Sequence, residues 1–429
     1  MKEKINNFFS WKIIIGVLLV QLIWTIYLSI FINKFGQLPA PFFYDKTDTF
    51  MDLYNPLYWA SLDGIYSEWK SVYPPINFIF LKALRFIIYD GVDISNSFEL
   101  RINSICPVYI FVAIYFSAIV YIVNSLEWQG LLNIKKILII FIIITLTPFL
   151  FALERGNLIV LCLFLLPIIL RSNSLVGIVF LSIAINIKPY FAFLLIGYLI
   201  SGSLEKFCIG IFLSGFIFLS TGLLIDQNFL LLIPNLLNFG SSNEFLSGNA
   251  LLSMPISVLN FSHVINIYLQ SNVLTNEVSN LLMMLEVLIK LINYIFFVGF
   301  GIIIICCRYK INESEILVGL IVALVSCIMS VGSYSIIFYL IIIPYLLNMR
   351  LYKIHIILVG LIFSPSDMII FYSKVVAHGE IFISNAVGEH LFQLSVGTII
   401  RPLISLLLII SLSFDFLTRG IQKRELLNV

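Results

Sequence analysis

Long apolar runs recur from residue 13 to residue 416, and short polar stretches separate them. Many of these runs reach the ~17–25 residues that a helix needs to cross ~30 Å of hydrocarbon. Inside a bilayer every backbone polar group must be satisfied internally, so the pattern predicts helices. A barrel would need ~10-residue segments of alternating polarity, whereas LIIFIIITLTPFLFAL is continuously apolar.

The apolar runs predict the membrane spans directly. Segment 174–203 fits either two spans or one helix bent at Lys188-Pro189, because proline breaks an α-helix. The predicted fold class is all-α: a polytopic helical membrane bundle of roughly 10–13 spans, with residues 1–429 forming a single domain. The predicted spans are 13–32, 104–124, 137–153, 157–171, 174–187, 190–203, 207–225, 281–307, 315–331, 335–348, 354–372 and 396–416.

Composition agrees with a membrane protein and says little about partners. Of the 429 residues, 60% are hydrophobic and 11% are charged, against ~25% charged in soluble proteins. The net charge is +2, and the sequence has no basic cluster dense enough for nucleic acid. The six cysteines lie in or beside apolar runs, without the spacing of a metal site or a disulfide framework.

Segment 74–90 decides the predicted topology. Lys82 and Arg85 interrupt it, and each would cost ~2.5–3.5 kcal/mol at the centre of a span. We therefore predict an amphipathic helix that lies on the membrane surface. With the N-terminus inside, the basic residues of the later short loops become cytoplasmic, as the positive-inside rule requires. These are Lys135, Lys136, Arg171, Lys206, Arg308, Lys310, Arg350, Lys353, Arg419, Lys423 and Arg424.

This topology predicts a multi-pass protein of a bacterial plasma membrane with both termini in the cytoplasm. The first external loop, 33–103, and a second large external loop, 226–280, then share one face of the membrane. The turn at 154–157, Lys188 and loop 373–395 emerge on the same face. Loop 226–280 is long enough to fold over it, and its Gly, Ser and Asn content suits turns and ligand contacts.

The first external loop carries most of the candidate acids. Asp48 and Asp52 are four residues apart among apolar neighbours, so they share one face if the stretch is helical. A carboxylate beside lipid and aromatic surface is desolvated, and the resulting rise in its pKa suits a general base. The alternative is that these acids are simply solvated loop residues.

Two further polar positions lie at the ends of apolar runs. Glu154 and Arg155 separate two runs, and the arginine could hold a phosphate through two parallel hydrogen bonds. Their alternative role is an ion pair at a helical turn. Lys188 precedes Pro189, which would free backbone groups beside the ammonium and favour an anion site. A plain interfacial lysine is the alternative there.

The other ionisable residues give weaker indications of a functional site. The four histidines do not form a ligand cluster of the HExxH kind. Glu286 and Lys290 are four apart on one helix and are interpreted as a structural pair. The sequence contains no P-loop, GxSxG or dinucleotide-binding signature, so nothing indicates ATP, acyl-enzyme or nicotinamide chemistry.

Four short motifs follow one another in the first half of the chain. An external aspartate loop is followed by Gly64 and Tyr66, then by Tyr73-Pro74-Pro75, an R-G-N turn at 155–157 and an IKPY element at 187–190. This order resembles that of the polyprenol-phosphate-mannose-dependent mannosyltransferases, which have the GT-C glycosyltransferase fold. The resemblance covers roughly residues 13–200, and the rest of the chain matches in hydropathy.

The resemblance implies a multi-span enzyme with surface-lying helices in its first external loop. It implies transfer of a mannose-like hexose from a polyprenyl-phosphate sugar to a lipid- or glycan-linked acceptor, with inversion at the anomeric carbon. Asp52 would be the base and Asp48 the second choice. No cofactor and no obligatory metal are expected, and membrane lipids surround the protein. The residues implied near the donor are Arg155, Asn157, Lys188, Tyr73, Glu154 and Arg401, the last from SVGTIIRPL.

Three alternatives stay open from the sequence. A surface-polysaccharide polymerase or ligase also uses polyprenyl-linked sugars but places its key residues in late external loops. A lipid or glycan transporter would need a polar pathway through the bundle and often has repeated halves, neither of which is visible here. A purely structural membrane subunit is the third.

Overall fold

Apolar α-helices form most of the protein, as the sequence pattern predicts. A computed structural model describes residues 9–35, 39, 42, 49–88, 95–125, 131–172, 174–226, 228–241, 276–327, 333–364, 368–380 and 387–425. Within these residues the chain is helical, with a single two-stranded hairpin near its C-terminal end.

The N-terminal third begins with one long apolar helix and continues through three shorter helices of the first predicted loop. A second long helix and a bent pair follow. In order, the helices are α1 (Trp11–Phe35), α2 (Met51–Trp59), α3 (Pro75–Ile88), α4 (Ser97–Asn103), α5 (Cys106–Asn124), α6 (Asn133–Thr145) and α7 (Thr147–Arg155).

The middle third alternates α-helices with short 3₁₀ turns. Its elements are a 3₁₀ turn (Leu158–Leu161), α8 (Cys162–Arg171), α9 (Leu175–Ile187), a 3₁₀ turn (Pro189–Leu194), α10 (Leu195–Ile200), α11 (Leu204–Ile225), a 3₁₀ turn (Phe229–Leu231) and α12 (Leu232–Ser241). Helix α9 packs against both α8 and α11.

The C-terminal third contains the longest helices. Its elements are α13 (Asn276–Cys307), α14 (Glu313–Cys327), a 3₁₀ turn (Ser333–Phe338), α15 (Tyr339–Leu346), α16 (Tyr352–Phe363), β1 (Ile369–Glu380), β2 (Val387–Ser395) and α17 (Val396–Glu425). Helix α17 packs against α13, α14 and α16.

Fewer helices than predicted are long enough to cross a bilayer unaided. By length and composition, four described segments qualify: α1, α5, α11 and residues 400–419 of α17. Helices α6 and α7 would make a fifth span together, with a 61° bend between them. The other apolar helical segments contain 10–17 residues, and the one within α13 is Leu291–Cys307. Breaks explain part of the difference: Pro189 removes a backbone donor and leaves Lys188 extended, so 174–203 is two helices.

The predicted span 354–372 is wrong beyond Phe363, and the predicted loop 373–395 contains most of a β-hairpin. The external position of this loop stays a prediction. Helix α16 ends at Phe363, and strands β1 and β2 pair in an antiparallel hairpin that aligns His378 with Glu389 and Gly379 with Gly388. Residues 369–376, IIFYSKVV, are mostly β-branched or aromatic, and such residues fit a pleated surface better than a turn. The apolar run there was therefore a strand signal mistaken for a helix signal.

The first predicted loop is helical, in α2, α3 and α4. Helix α3 covers residues 75–88 of the segment 74–90, buries Phe78, Leu81 and Leu84, and leaves Lys82 exposed. It packs against α11 and α2. That it lies on the membrane surface stays a prediction.

The second predicted loop, 226–280, is described only at its two ends, and residues 242–275 lie outside the described part. The side-chain amide of Asn235 donates to the backbone carbonyls of Tyr66 at 2.9 Å and Ser71 at 3.3 Å. The beginning of this segment therefore contacts the first predicted loop, and the placement of both on the external face stays a prediction.

Ion pairs join the ends of three helices near Leu351, the residue that precedes α16. Arg419 pairs with Glu315 and, at 2.7 Å, with Asp415. The second oxygen of Asp415 accepts from the Leu351 backbone N–H at 2.7 Å. These contacts join α14, α16 and α17, and we name Arg419, Glu315 and Asp415 the Arg419 cluster.

Candidate functional site

Asp52 lies in the first turn of α2, where the helix dipole favours a negative charge. Its Oδ1 accepts from Arg155 Nη2 at 2.6 Å, and its Oδ2 accepts from Asn157 Nδ2 at 2.8 Å. Two residues that the resemblance assigned to the donor phosphate thus bind the carboxylate that it assigned as the base. More than 100 residues of sequence separate Asp52 from both of them.

Gly156 allows this close approach. It ends α7 in the left-handed conformation, with φ of 67°. A Cβ atom on Gly156 would lie 3.0 Å from Leu53 Cβ and 3.1 Å from Phe50 Cδ1, tighter than side chains normally accept. The backbone N–H of Phe50 donates to the Glu154 carbonyl at 2.7 Å. Only glycine lets the end of α7 rest against the beginning of α2, because it has no Cβ and adopts positive φ freely.

Asn157 has two roles that require an amide. Its side-chain oxygen accepts from the Ile159 backbone N–H at 3.1 Å and caps the 3₁₀ turn that follows. This directs the NH₂ group toward Asp52, and the same nitrogen lies 3.5 Å from the Tyr73 hydroxyl. A carboxylate at this position could cap the turn but would repel Asp52.

Lys188 adds a second cation to the group. Its ammonium lies 4.6 Å from the centre of the Tyr73 ring, in a cation–π contact. The residue occupies the break between α9 and the next 3₁₀ turn, outside both apolar helices. Burial lowers the pKa of Lys188 to about 8, although the nearby Asp52 carboxylate acts in the opposite direction. Burial likewise raises the pKa of the Tyr73 phenol well above its usual range, and Asp52 adds to that rise.

Asn77 holds the backbone on both sides of the Tyr73–Lys188 contact. This buried side chain donates to the carbonyl of Pro74 at 3.1 Å and to that of Ile187 at 3.1 Å. Pro74 follows Tyr73, and Ile187 precedes Lys188. One amide therefore fixes the two chain segments that present the aromatic ring and the ammonium.

We name Asp52, Arg155, Asn157, Tyr73 and Lys188 the Asp52 cluster. The Asp52 side chain is 22% exposed, whereas that of Arg155 is 9% exposed. A carboxylate has about four lone-pair positions, and the two contacts described above use one on each oxygen. Asp52 is thus held at both oxygens yet keeps capacity for a donor that arrives from outside.

The remaining predicted site residues lie elsewhere or do different work. The helix α2 begins at Met51 after a left-handed Phe50. Asp48 itself lies outside the described residues. Glu154 is buried beside the cluster and joins it through its backbone carbonyl. Arg401 is fully buried and donates to the carbonyls of Ile362 at 3.1 Å and Ser364 at 3.3 Å, at the end of α16.

Sequence reasoning missed Tyr334, which begins the apolar stretch before α15. Its phenol lies close enough to Asp52, Arg155 and the Asn157 side chain to interact with them electrostatically. The ring also packs near Phe151 of α7, with 6.3 Å between ring centres. A tyrosine at the start of an apolar run is a weak signal of a functional site, because its hydroxyl can find a hydrogen-bond partner at any membrane interface.

The cluster can bind an anion beside Lys188 and accept a proton at Asp52. Within the described residues, no three His, Cys, Asp or Glu side chains group together as metal ligands would. The long apolar helices and the buried polar cluster define the class as a helical membrane protein. No protein-family model matches the chain, and neither a curated protein nor a solved structure matches it.

Proposed function

We propose that this protein is an integral membrane glycosyltransferase. It transfers a hexose from a polyprenyl-phosphate sugar to a lipid- or glycan-linked acceptor on the external face, with inversion at the anomeric carbon. Asp52 is the general base. The observation that carries the proposal is the arrangement of the Asp52 cluster: an accessible carboxylate, held at both oxygens, beside an arginine and a desolvated lysine.

The proposed step needs both charges. The acceptor hydroxyl donates a hydrogen bond to Asp52 and attacks the anomeric carbon, while the bond from that carbon to the phosphate oxygen breaks. The hydroxyl proton passes to Asp52, and the polyprenyl phosphate leaves with one additional negative charge. Lys188 and Arg155 stabilise that charge, and such stabilisation is most effective where water is excluded.

The surroundings of the cations favour a lipid-linked phosphate over a soluble one. Lys188 sits at the end of an apolar helix, and the apolar turn Pro189–Leu194 follows it directly. A donor anchored by a hydrocarbon chain would reach this place from within the bilayer. This explains why a transferase with these residues is built into a membrane bundle.

The test is a transfer assay with the purified full-length protein. Radiolabelled polyprenyl-phosphate hexoses and a membrane lipid extract are supplied, and labelled products are separated and identified. We expect a labelled glycolipid or glycan with the wild-type protein. Asp52→Asn should lower its rate of formation by about 10²–10⁴-fold, the usual contribution of a general base.

Asp63→Asn is the matched control, since Asp63 is an exposed acid of the same loop. It should transfer at the wild-type rate. Elution as a single species in detergent must be the same for all three proteins. Absence of any product with every hexose donor, from protein that is folded by this criterion, would contradict the proposal.

A further inference from the structure

One face of α2 is partly exposed and begins at the Asp52 cluster. Asp52, Asn55 and Trp59 are the residues of this helix that are not buried. They stand at positions i, i+3 and i+7, so they lie in one line along the helix. The line runs from the proposed base to Trp59, about 10 Å further along the helix axis. We name Asp52, Asn55 and Trp59 the α2 stripe.

Two tryptophan rings stack at the far end of the α2 stripe. The rings of Trp59 and Trp69 have 6.0 Å between their centres and 20° between their planes. The ring of Tyr58 packs nearly at right angles to that of Trp69, with 5.7 Å between centres. Trp69 is nevertheless 38% exposed. The stacked pair therefore presents aromatic surface to the outside of the protein.

A tight loop fixes the position of Trp69. The backbone N–H groups of Glu68 and Trp69 both donate to the Gly64 carbonyl, at 2.9 Å and 3.1 Å. Lys70, the next residue, has a left-handed backbone with φ of 48°. A residue with a Cβ adopts this conformation only where its surroundings impose it, and such positions often occur beside ligands. The indole is thus held in place before any ligand arrives, which lowers the cost of binding.

The same loop leads back to the Asp52 cluster. The backbone N–H of Tyr73, a residue of the cluster, donates to the Ser71 hydroxyl at 3.2 Å. Trp59 is connected to the cluster through α2, and Trp69 is connected to it through Ser71 and Tyr73. The stacked tryptophans are therefore continuous with the candidate site on two sides.

The surroundings of Trp69 differ from those of a tryptophan at a membrane interface. Its exposed neighbours in the loop are polar: Ser67, Glu68 and Lys70. Trp11, at the start of α1, is 44% exposed and is followed by the exposed apolar residues Ile13 and Ile15. That second arrangement is typical of an aromatic residue at the edge of a bilayer. Trp69 instead lies where a water-soluble ligand can reach it.

A sugar chain has the chemistry that this surface suits. One face of a sugar ring carries C–H groups that pack against an aromatic ring, and its hydroxyls form hydrogen bonds. Within the α2 stripe, the Asn55 amide can both donate to and accept from a hydroxyl, and the indole N–H of a tryptophan can donate. A hydrocarbon chain would use the rings but not these polar groups.

We propose that the α2 stripe and Trp69 bind the glycan chain of the acceptor. The terminal hydroxyl of this chain lies at Asp52, and a sugar ring further along it stacks on the tryptophan pair. The inference rests on the proposed function and identifies the acceptor as a glycan rather than a simple lipid. The glycan contains several sugars, because a single sugar at Asp52 does not reach Trp59.

Binding of free oligosaccharides to the purified full-length protein tests the inference without turnover. The probes are monosaccharides, disaccharides and tetrasaccharides of mannose, glucose, galactose and N-acetylglucosamine. Saturation-transfer NMR in detergent measures their affinities. We expect the tetrasaccharide of at least one series to bind, and the monosaccharide of that series to bind about tenfold more weakly because it lacks the aromatic contact.

Substitutions of two exposed tryptophans supply the decisive comparison. Trp69→Ala should weaken tetrasaccharide binding by about tenfold or more, as expected of an aromatic anchor. Trp69→Phe keeps a ring and should weaken it by about threefold or less. Trp11→Ala removes an exposed tryptophan from α1 and should bind as the wild type does. All variants must elute as a single species in detergent.

Three results would overturn the inference: no binding by any tetrasaccharide, equal affinity of Trp69→Ala and wild type, or an equal loss in Trp11→Ala. Transfer of a hexose to a lipid without a glycan, together with absent oligosaccharide binding, would remove the glycan site and leave the proposed reaction intact. Binding that depends on Trp69, without any hexosyl transfer, would support the glycan site and contradict the reaction.

Discussion

The Asp52 cluster and the Arg419 cluster contain the same pair of residue types, an arginine and an aspartate, in different roles. In both, an arginine pairs with an aspartate among apolar helices. Asp415 is completely buried, and its oxygens serve Arg419 and the Leu351 backbone N–H, so it connects helix ends. Asp52 is partly exposed and lies beside a second cation and a tyrosine. An ion pair alone does not indicate a function. A function is indicated when the paired carboxylate can still accept a hydrogen bond from a ligand.

Neutralising both partners of the Asp52–Arg155 pair best distinguishes a catalytic role of the pair from a structural one. If the pair were structural, the double variant Asp52→Asn/Arg155→Gln would regain what Asp52→Asn loses, because no buried charge is left unpaired. We expect the double variant to be folded but still slower than wild type by about 10²–10⁴-fold. Transfer rates and thermal unfolding of both variants in detergent measure this. Recovery of transfer in the double variant would make the pair structural.

Truncation of Asp415 should affect stability rather than transfer. Asp415→Ala leaves Arg419 with Glu315 alone and leaves the Leu351 N–H without its acceptor, so we expect a loss of about 3 kcal/mol in stability. The rate of transfer per folded molecule should stay within about twofold of wild type. Chemical denaturation and the transfer assay give the two quantities. Glu205→Ala, at an exposed acid on α11, is the control for loss of a carboxylate.

Gly156→Ala tests whether the close approach of α7 and α2 builds the Asp52 cluster. Alanine adds a steric conflict with Leu53 and Phe50 to the strain of positive φ, so we expect a loss of about 1–3 kcal/mol together with slower transfer. Gly202 also has positive φ, but a Cβ there would meet nothing within 4 Å. Gly202→Ala should therefore lower stability slightly and leave transfer unchanged. Equal effects of the two substitutions on transfer would contradict the role of Gly156.

The pH dependence of transfer should reflect Lys188. Its pKa of about 8 lies below the usual lysine value, so the ammonium is present below pH 8 and is lost as the pH rises through it. We expect transfer to fall by about tenfold per pH unit above this point. Lys188→Arg keeps its charge and should extend the plateau toward higher pH. A wild-type plateau that continues well above pH 8 would show that the charge of Lys188 is not required.

Part of the candidate site could be predicted from sequence. Asp52, Arg155 and Lys188 belonged to the predicted set because charged residues in or beside apolar runs are rare. Asn157 and Tyr73 belonged to it because of the resemblance to the mannosyltransferases. The pairing of Asp52 with Arg155 was not predicted, since it depends on Gly156 allowing α7 to touch α2. Tyr334 and Asn77 were missed because a tyrosine or asparagine near an apolar run has many possible partners.

Hydropathy by itself determined that this protein is a helical membrane protein, because a bilayer leaves an apolar chain few other ways to satisfy its backbone. It also identified polar residues as functional candidates, because placing them in lipid without a role would be unfavourable. Only the tertiary structure decided where helices break, that residues 369–395 contain a hairpin, and which distant residues meet. Those outcomes depend on the close packing of particular side chains, which the periodicity of a single chain does not record.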